Sequence, residues 1–113
     1  MALTKAEATN KVLRILGKLP EGQPAQAWVS EIVGNCLDQA QAYLEADGLA
    51  YWETSAIPDG VAQGFCNYVA GRAAPEIMST DEARLYVGLA DVGLAEMRRF
   101  CAVGDATVKA VFY

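Results

Sequence analysis

Apolar residues recur every three or four positions along most of this chain, the spacing that gathers side chains on one face of a helix. Ala8, Val12, Leu16 and Leu19 form a first stripe, with Ile15 beside it. Thr4 and Glu7 stand ahead of it at capping-box spacing, which lets each side chain satisfy a free backbone N–H. The first helix therefore begins at Thr4, frays at Gly17 and stops before Pro20. Pro20-Glu21-Gly22-Gln23-Pro24 reads as a turn between helices. A second helix follows over about residues 25–47, its apolar side built from Trp28, Val29, Ile32, Val33, Cys36, Leu37, Ala40, Tyr43 and Leu44. Gly48 is placed to cap its C-terminus.

From Leu49 to Ile57 the period is lost, so the sequence predicts a loop or short extended segment. Its Tyr51 and Trp52 suit either of two roles. They plug the end of a bundle, or they touch a neighbouring subunit, because aromatics dominate both cores and interfaces. Ile57-Pro58-Asp59 opens a third helix, with proline in its first turn. Val61, Ala62, Phe65, Val69 and Ala73 form its buried side, and Pro75 ends it. Gly60, Gly64, Gly71 and neighbouring alanines permit close helix approach.

Ser79 and Glu82 repeat the capping-box spacing and open a fourth helix. Leu85, Leu89, Val92 and Glu96 lie on one of its sides. Tyr86, Ala90, Gly93, Met97 and Phe100 lie beside them and make the better core stripe. Gly104-Asp105 then signals a turn. Thr107-Val108-Lys109-Ala110-Val111-Phe112-Tyr113 is β-branched and aromatic, without helical period. The pattern thus predicts a mainly α protein, a four-helix bundle over residues 1–102 with an extended C-terminal tail over 103–113. An apolar terminus is a liability if it floats free. It packs on its own bundle, or it adds to a partner as a strand or docks in a partner's groove.

Composition agrees with a globule: 53% of the 113 residues are hydrophobic and 20% charged. The net charge of −5 and the scattered Lys and Arg residues leave no basic stripe for nucleic acid. Cys36, Cys66 and Cys101 fit no zinc or redox spacing and read as small buried apolar side chains. The charged start of the chain shows no signal peptide pattern, and no apolar run approaches a membrane-spanning length.

Histidine is absent. That removes the commonest general acid–base group and metal ligand, and with it any histidine-based nucleophilic triad. No Gly-rich phosphate loop is present. Glu45 with Asp47, and Asp81 with Glu82, are close in sequence, but they lack the three- or four-residue spacing of helix-face neighbours. The residues therefore point to a protein without enzymatic activity, cofactor or metal.

Several segments together carry a resemblance. They are the amphipathic helix from Thr4 to Leu16, the long second helix ending Tyr43-Leu44-Glu45-Ala46-Asp47-Gly48, and the aromatic stretch. Ile57-Pro58-Asp59-Gly60-Val61-Ala62 then leads to Val69-Ala70-Gly71-Arg72-Ala73-Ala74-Pro75. In this order, over roughly residues 4–101, the chain resembles the head-to-tail adaptors of tailed bacteriophages, also described as connector, head-completion or packaged-DNA-stabilisation proteins. The resemblance implies a homo-oligomeric ring, commonly of twelve subunits, made in the host cytoplasm and built into the virion below the portal. Such a ring extends the DNA channel. Its partners are the portal protein above and a tail or tail-completion protein below. It also implies that the C-terminal segment, here Thr107, Val108, Lys109, Ala110, Val111, Phe112 and Tyr113, reaches up to the portal. Tyr51, Trp52, Gly64 and Gly71 are the expected subunit-interface residues, because each ring subunit meets its neighbours through two different surfaces. An acidic lumen repels phosphate, so DNA slides through without sequence-specific binding. The second reading is a small helical interaction or regulatory module, antitoxin-like, that forms defined small oligomers.

Overall fold

The computed structural model describes residues 2–18 and 26–112, with side chains as far as Phe100. Four helices stand among the described residues: α1 (Lys5–Ile15), α2 (Ala27–Ala46), α3 (Asp59–Ile77) and α4 (Thr80–Phe112). The protein is mainly α, as its periodicity predicts. The Pro20–Pro24 turn and Leu19 lie outside the described residues.

Local chemistry sets the helix ends. At α1 the Glu7 N–H donates to Thr4 Oγ1 at 3.2 Å, and the Thr4 N–H donates to Glu7 Oε1 at 3.1 Å. The capping box is complete. The helix ends at Ile15, just ahead of Gly17 as the sequence predicts, where Gly17 takes φ +71°. The N–H groups of Gly17 and Lys18 then return to Arg14 O and Leu13 O. This is the paired bonding of a Schellman turn, which an L side chain at position 17 would strain. Gly48 ends α2 in the same way, with φ +75° and bonds from Gly48 and Leu49 back to Glu45 and Leu44. Ser79 Oγ accepts from the Glu82 N–H at 3.3 Å at the head of α4.

Two boundaries differ from the sequence pattern. Pro58 is the N-cap of α3, one residue before the helix proper. Pro75 does not end α3 but sits inside its last turn, and the helix runs on to Ile77. An interior proline costs about 3 kcal/mol in a helix. Here burial of Ala73, Ala74 and Ile77 offsets it, and the Met78 N–H still closes onto Ala74 O.

The helices stack in layers. Twelve of the 19 residues of α3 are buried, which makes it the central helix. On one side it meets α1 and α2, which also meet each other; on the other it meets α4, whose packing partner among the helices is α3 alone. The loop before α3 is tied down by an antiparallel bridge between Leu3 and Ile57, each donating to the other's carbonyl at 2.8–2.9 Å. Phe65, Leu13, Leu37, Leu44, Ile57 and Met97 are the largest wholly buried side chains.

The backbone of α4 is helical to Phe112 and passes through Gly104-Asp105, where the pattern predicts a turn. A helix already nucleated upstream adds residues readily, and an interior glycine costs only about 1 kcal/mol against alanine. The side chains of residues 101–113 lie outside the described residues. Helix thus runs past residue 102 to Phe112, where the pattern predicts an extended tail over 103–113; the docking role expected for Thr107 to Tyr113 lies with side chains outside the described residues.

Candidate functional site

Exposed apolar side chains on the outer helices stand out among the described residues. The outer side of α4 carries Leu85, at 79% the most exposed large aliphatic side chain among the described residues. Val87 and Val92 are each half exposed on the same helix. This exposure follows from layering: α4 gives its Ala83, Gly93 and Met97 side to α3, and no other described helix covers the rest. The side expected to form the core stripe does so through Tyr86, Ala90, Gly93 and Met97. Phe100, at its end, stays partly exposed while its ring fills the space beside Gly60.

The other outer layer exposes two aromatic rings, one near each end of α2. Trp28 and Tyr43 of α2 are 54% and 55% exposed, although their spacing places them on the apolar stripe. Trp28 donates from Nε1 to Gln26 Oε1 at 2.9 Å. The Tyr43 ring carries the Arg72 guanidinium 4.6 Å from its centroid; Arg72 also reaches Tyr68, donating to its hydroxyl at 3.3 Å. A cation held against aromatic faces is fixed without needing a carboxylate partner.

The four expected interface residues separate. Trp52 is buried, edge-on to Phe65 with centroids 6.0 Å apart, so it plugs the end of the bundle. Tyr51 packs edge-on against Trp52 at 5.2 Å yet is 65% exposed. Gly64 and Gly71 lie inside the subunit, where α4 crosses α3. A Cβ on Gly64 would stand 3.0 Å from the Gly93 carbonyl oxygen, and one on Gly71 would overlap the Ala90 backbone. Close approach is thus what these glycines provide, and the partner is this chain's own α4.

One feature escapes the hydrophobic pattern. Gln41 is buried on α2 and donates from Nε2 to the Trp52 carbonyl at 2.7 Å and to Glu45 Oε1 at 3.0 Å. It pins the aromatic loop to the helix. Gln41 Oε1 and Trp52 Nε1 have no hydrogen-bond partner among the described residues. Polarity at position 41, on an otherwise apolar face, was the available signal.

The thiols are buried and shielded. Cys36 Sγ donates to Glu76 Oε2 at 2.6 Å. Burial first, then that carboxylate, pushes its pKa up to about 12 against the opposing pull of Arg72. Burial also pushes the Cys66 thiol up to about 11. Neither supplies a thiolate near neutral pH. The side chain of Cys101 lies outside the described residues. Glu45, Asp47, Asp81 and Glu82 are all exposed. Among the described residues, no group of three or more potential metal ligands comes together. No helix there is long and apolar enough to cross a membrane. A hollow of about 630 Å³ between α1 and α2 is open and lined by Lys5, Thr9, Asn10, Glu31 and Asn35. Beside it Lys5 Nζ reaches Asp38 at 2.8 Å.

No family model, curated protein or solved structure matches the chain. The functional reading therefore rests on the surfaces themselves.

Proposed function

We propose that this protein is a structural subunit of a phage head-to-tail connector, a ring below the portal that joins head to tail and extends the DNA channel. One observation carries the reading. The two outer layers of the subunit, α4 on one side of α3 and α2 on the other, each expose large apolar residues: Leu85 and Val92, which share one face of α4, and Trp28 and Tyr43 on α2. A closed ring requires two different surfaces per subunit, one for each neighbour. Isolated exposed apolar residues are ordinary, but groups of them on separate faces mark interaction sites.

The net charge of −5 supports the channel role, because repeating it around a ring repels the phosphate backbone. The portal above and a tail-completion protein below are the proposed partners, with Thr107 to Tyr113 as the proposed contact to the portal.

Electron microscopy of the chain mixed with the portal protein encoded beside it tests the proposal. Closed rings seated on the portal are expected. Portals that stay bare at saturating concentrations of the chain overturn it, as does a gene neighbourhood lacking portal, terminase and capsid genes.

A further inference from the structure

The exposed face of α4 has a period that packing on α3 does not use. Asp81, Leu85, Gly88, Val92, Ala95 and Arg99 follow one another at alternating spacings of four and three, and all six are exposed. That alternation is a heptad seam, the pattern by which one helix lies along another. None of the described helices lies along it, because among them α4 packs on α3 alone, through its opposite side. The seam spans about 27 Å, from 18 steps of about 1.5 Å.

The seam is complementary to itself when reversed. Turned end for end about Ala90, Asp81 meets Arg99, Leu85 meets Ala95, and Gly88 meets Val92. Each large side chain faces a small one, and the acidic end faces the basic end. The space over Gly88 is open, with nothing within 4 Å of where its Cβ would stand, so it offers a slot for a valine. A parallel pairing does the reverse: it sets Asp81 on Asp81, Arg99 on Arg99 and Gly88 on Gly88. The antiparallel arrangement also sets the two helix dipoles against each other favourably. Within the chain Asp81 reaches Arg84 at 3.9 Å, both largely exposed, a contact worth little. Other charges along the flanks are mixed in sign and solvated, so the seam decides the pairing.

We infer that the free protein associates with a second copy of itself as a two-fold dimer, α4 packed antiparallel on α4 along this seam. Two-fold symmetry follows from the pairing itself, since each contact then occurs twice. The dimer covers the apolar face that a lone subunit leaves to water. It is independent of the connector reading: a subunit entering a ring through this face first releases its twin, and a subunit with any other role keeps it.

Two single variants and their mixture make the test, using the full chain in sedimentation equilibrium up to about 1 mM, where even weak association registers. The wild type is expected to reach twice its 12.1 kDa chain mass. Asp81→Arg and Arg99→Asp each place like charges at both ends of the seam, so each alone is expected to lose affinity by about tenfold or more. Mixed together they restore both contacts, and a heterodimer is expected to return. Both positions are exposed, and unchanged circular dichroism confirms that the fold is kept. A wild type that stays monomeric throughout overturns the inference. So does a mixture that dimerises no better than its components, or an oligomer indifferent to both substitutions.

Discussion

Gly71 of α3 lies against the backbone of Ala90 of α4, so close that a Cβ on the glycine would overlap the alanine nitrogen. Farther along the same crossing, Gly93 faces the Gly64 carbonyl and the Tyr68 nitrogen, where a side chain again has no room. The two helices thus meet backbone to backbone, and this contact is what attaches α4 to the bundle.

Alanine at position 71 therefore has two opposed effects. It raises helix propensity by about 1 kcal/mol, and it forces the crossing apart, which costs about 1–3 kcal/mol as overpacking does. Gly71→Ala is expected to destabilise in urea unfolding. Gly34→Ala is the control, since its Cβ would meet only the end of Lys5 at 4.0 Å; it is expected to stabilise by up to about 1 kcal/mol. Equal gains from both would mean that the crossing has slack.

Trp52 contributes through ring area more than through its N–H, which has no partner among the described residues. Trp52→Phe keeps an edge to present to Phe65 and removes the unpartnered donor. Its expected cost is below about 1.5 kcal/mol, the range of hydrophobic swaps that conserve most of the volume. Trp52→Ala empties the end of the bundle and is expected to cost about 3–5 kcal/mol. Thermal unfolding followed by near-ultraviolet dichroism ranks the two, and comparable losses would show that the indole N–H matters after all.

Cys36 and Cys66 make stability fall in alkali. Burial holds their folded pKa values at about 12 and about 11, above the ordinary thiol value of 9.0. Above pH 9 the unfolded chain releases thiol protons that the folded chain retains, so the unfolded state gains. The contribution is complete below pH 9 and is lost as pH rises towards 11–12. In a Cys101→Ser background, the slope of stability against pH from 9 to 10.5, roughly the window where only the unfolded thiols ionise, is expected to flatten when Cys36 and Cys66 are both replaced by alanine. An unchanged slope would mean that the thiolates are as comfortable in the fold as in water.

The helices were legible wherever one face is apolar and the ends carry their own chemistry. The α2 pattern from Trp28 to Leu44 marks the helix to within two residues at each end, because Gly48 caps it by a backbone conformation that favours glycine. Local cues misled where packing outweighs them. Pro75 reads as a stop, yet buried Ala74 and Ile77 carry the helix past it. Leu13 is missing from the predicted stripe yet wholly buried, because α1 is covered by both α2 and α3 and so needs a broader apolar face. The role of the glycines was half legible: small size announces a close approach, but not which helix makes it. Contacts between distant positions, such as Cys36 with Glu76, leave no trace in a single sequence.

Two leucines of similar helical context separate the core from the interaction face. Leu13 is wholly buried in α1, whereas Leu85 is 79% exposed on α4. Leu13→Ala removes packed methyl groups and leaves a cavity, an expected loss of about 2–5 kcal/mol. Leu85→Gln removes contacts with water and little else in the lone subunit, so its unfolding free energy in dilute solution is expected to stay within about 0.5 kcal/mol. The same substitution should lower retention on a hydrophobic-interaction column, because it takes away the largest aliphatic group on that face. Leu13→Ala is not expected to lower retention while folded. A Leu85 variant that unfolded as readily as the Leu13 variant would mean that the outer side of α4 is covered within the subunit, and the interaction face would have to be sought on α2.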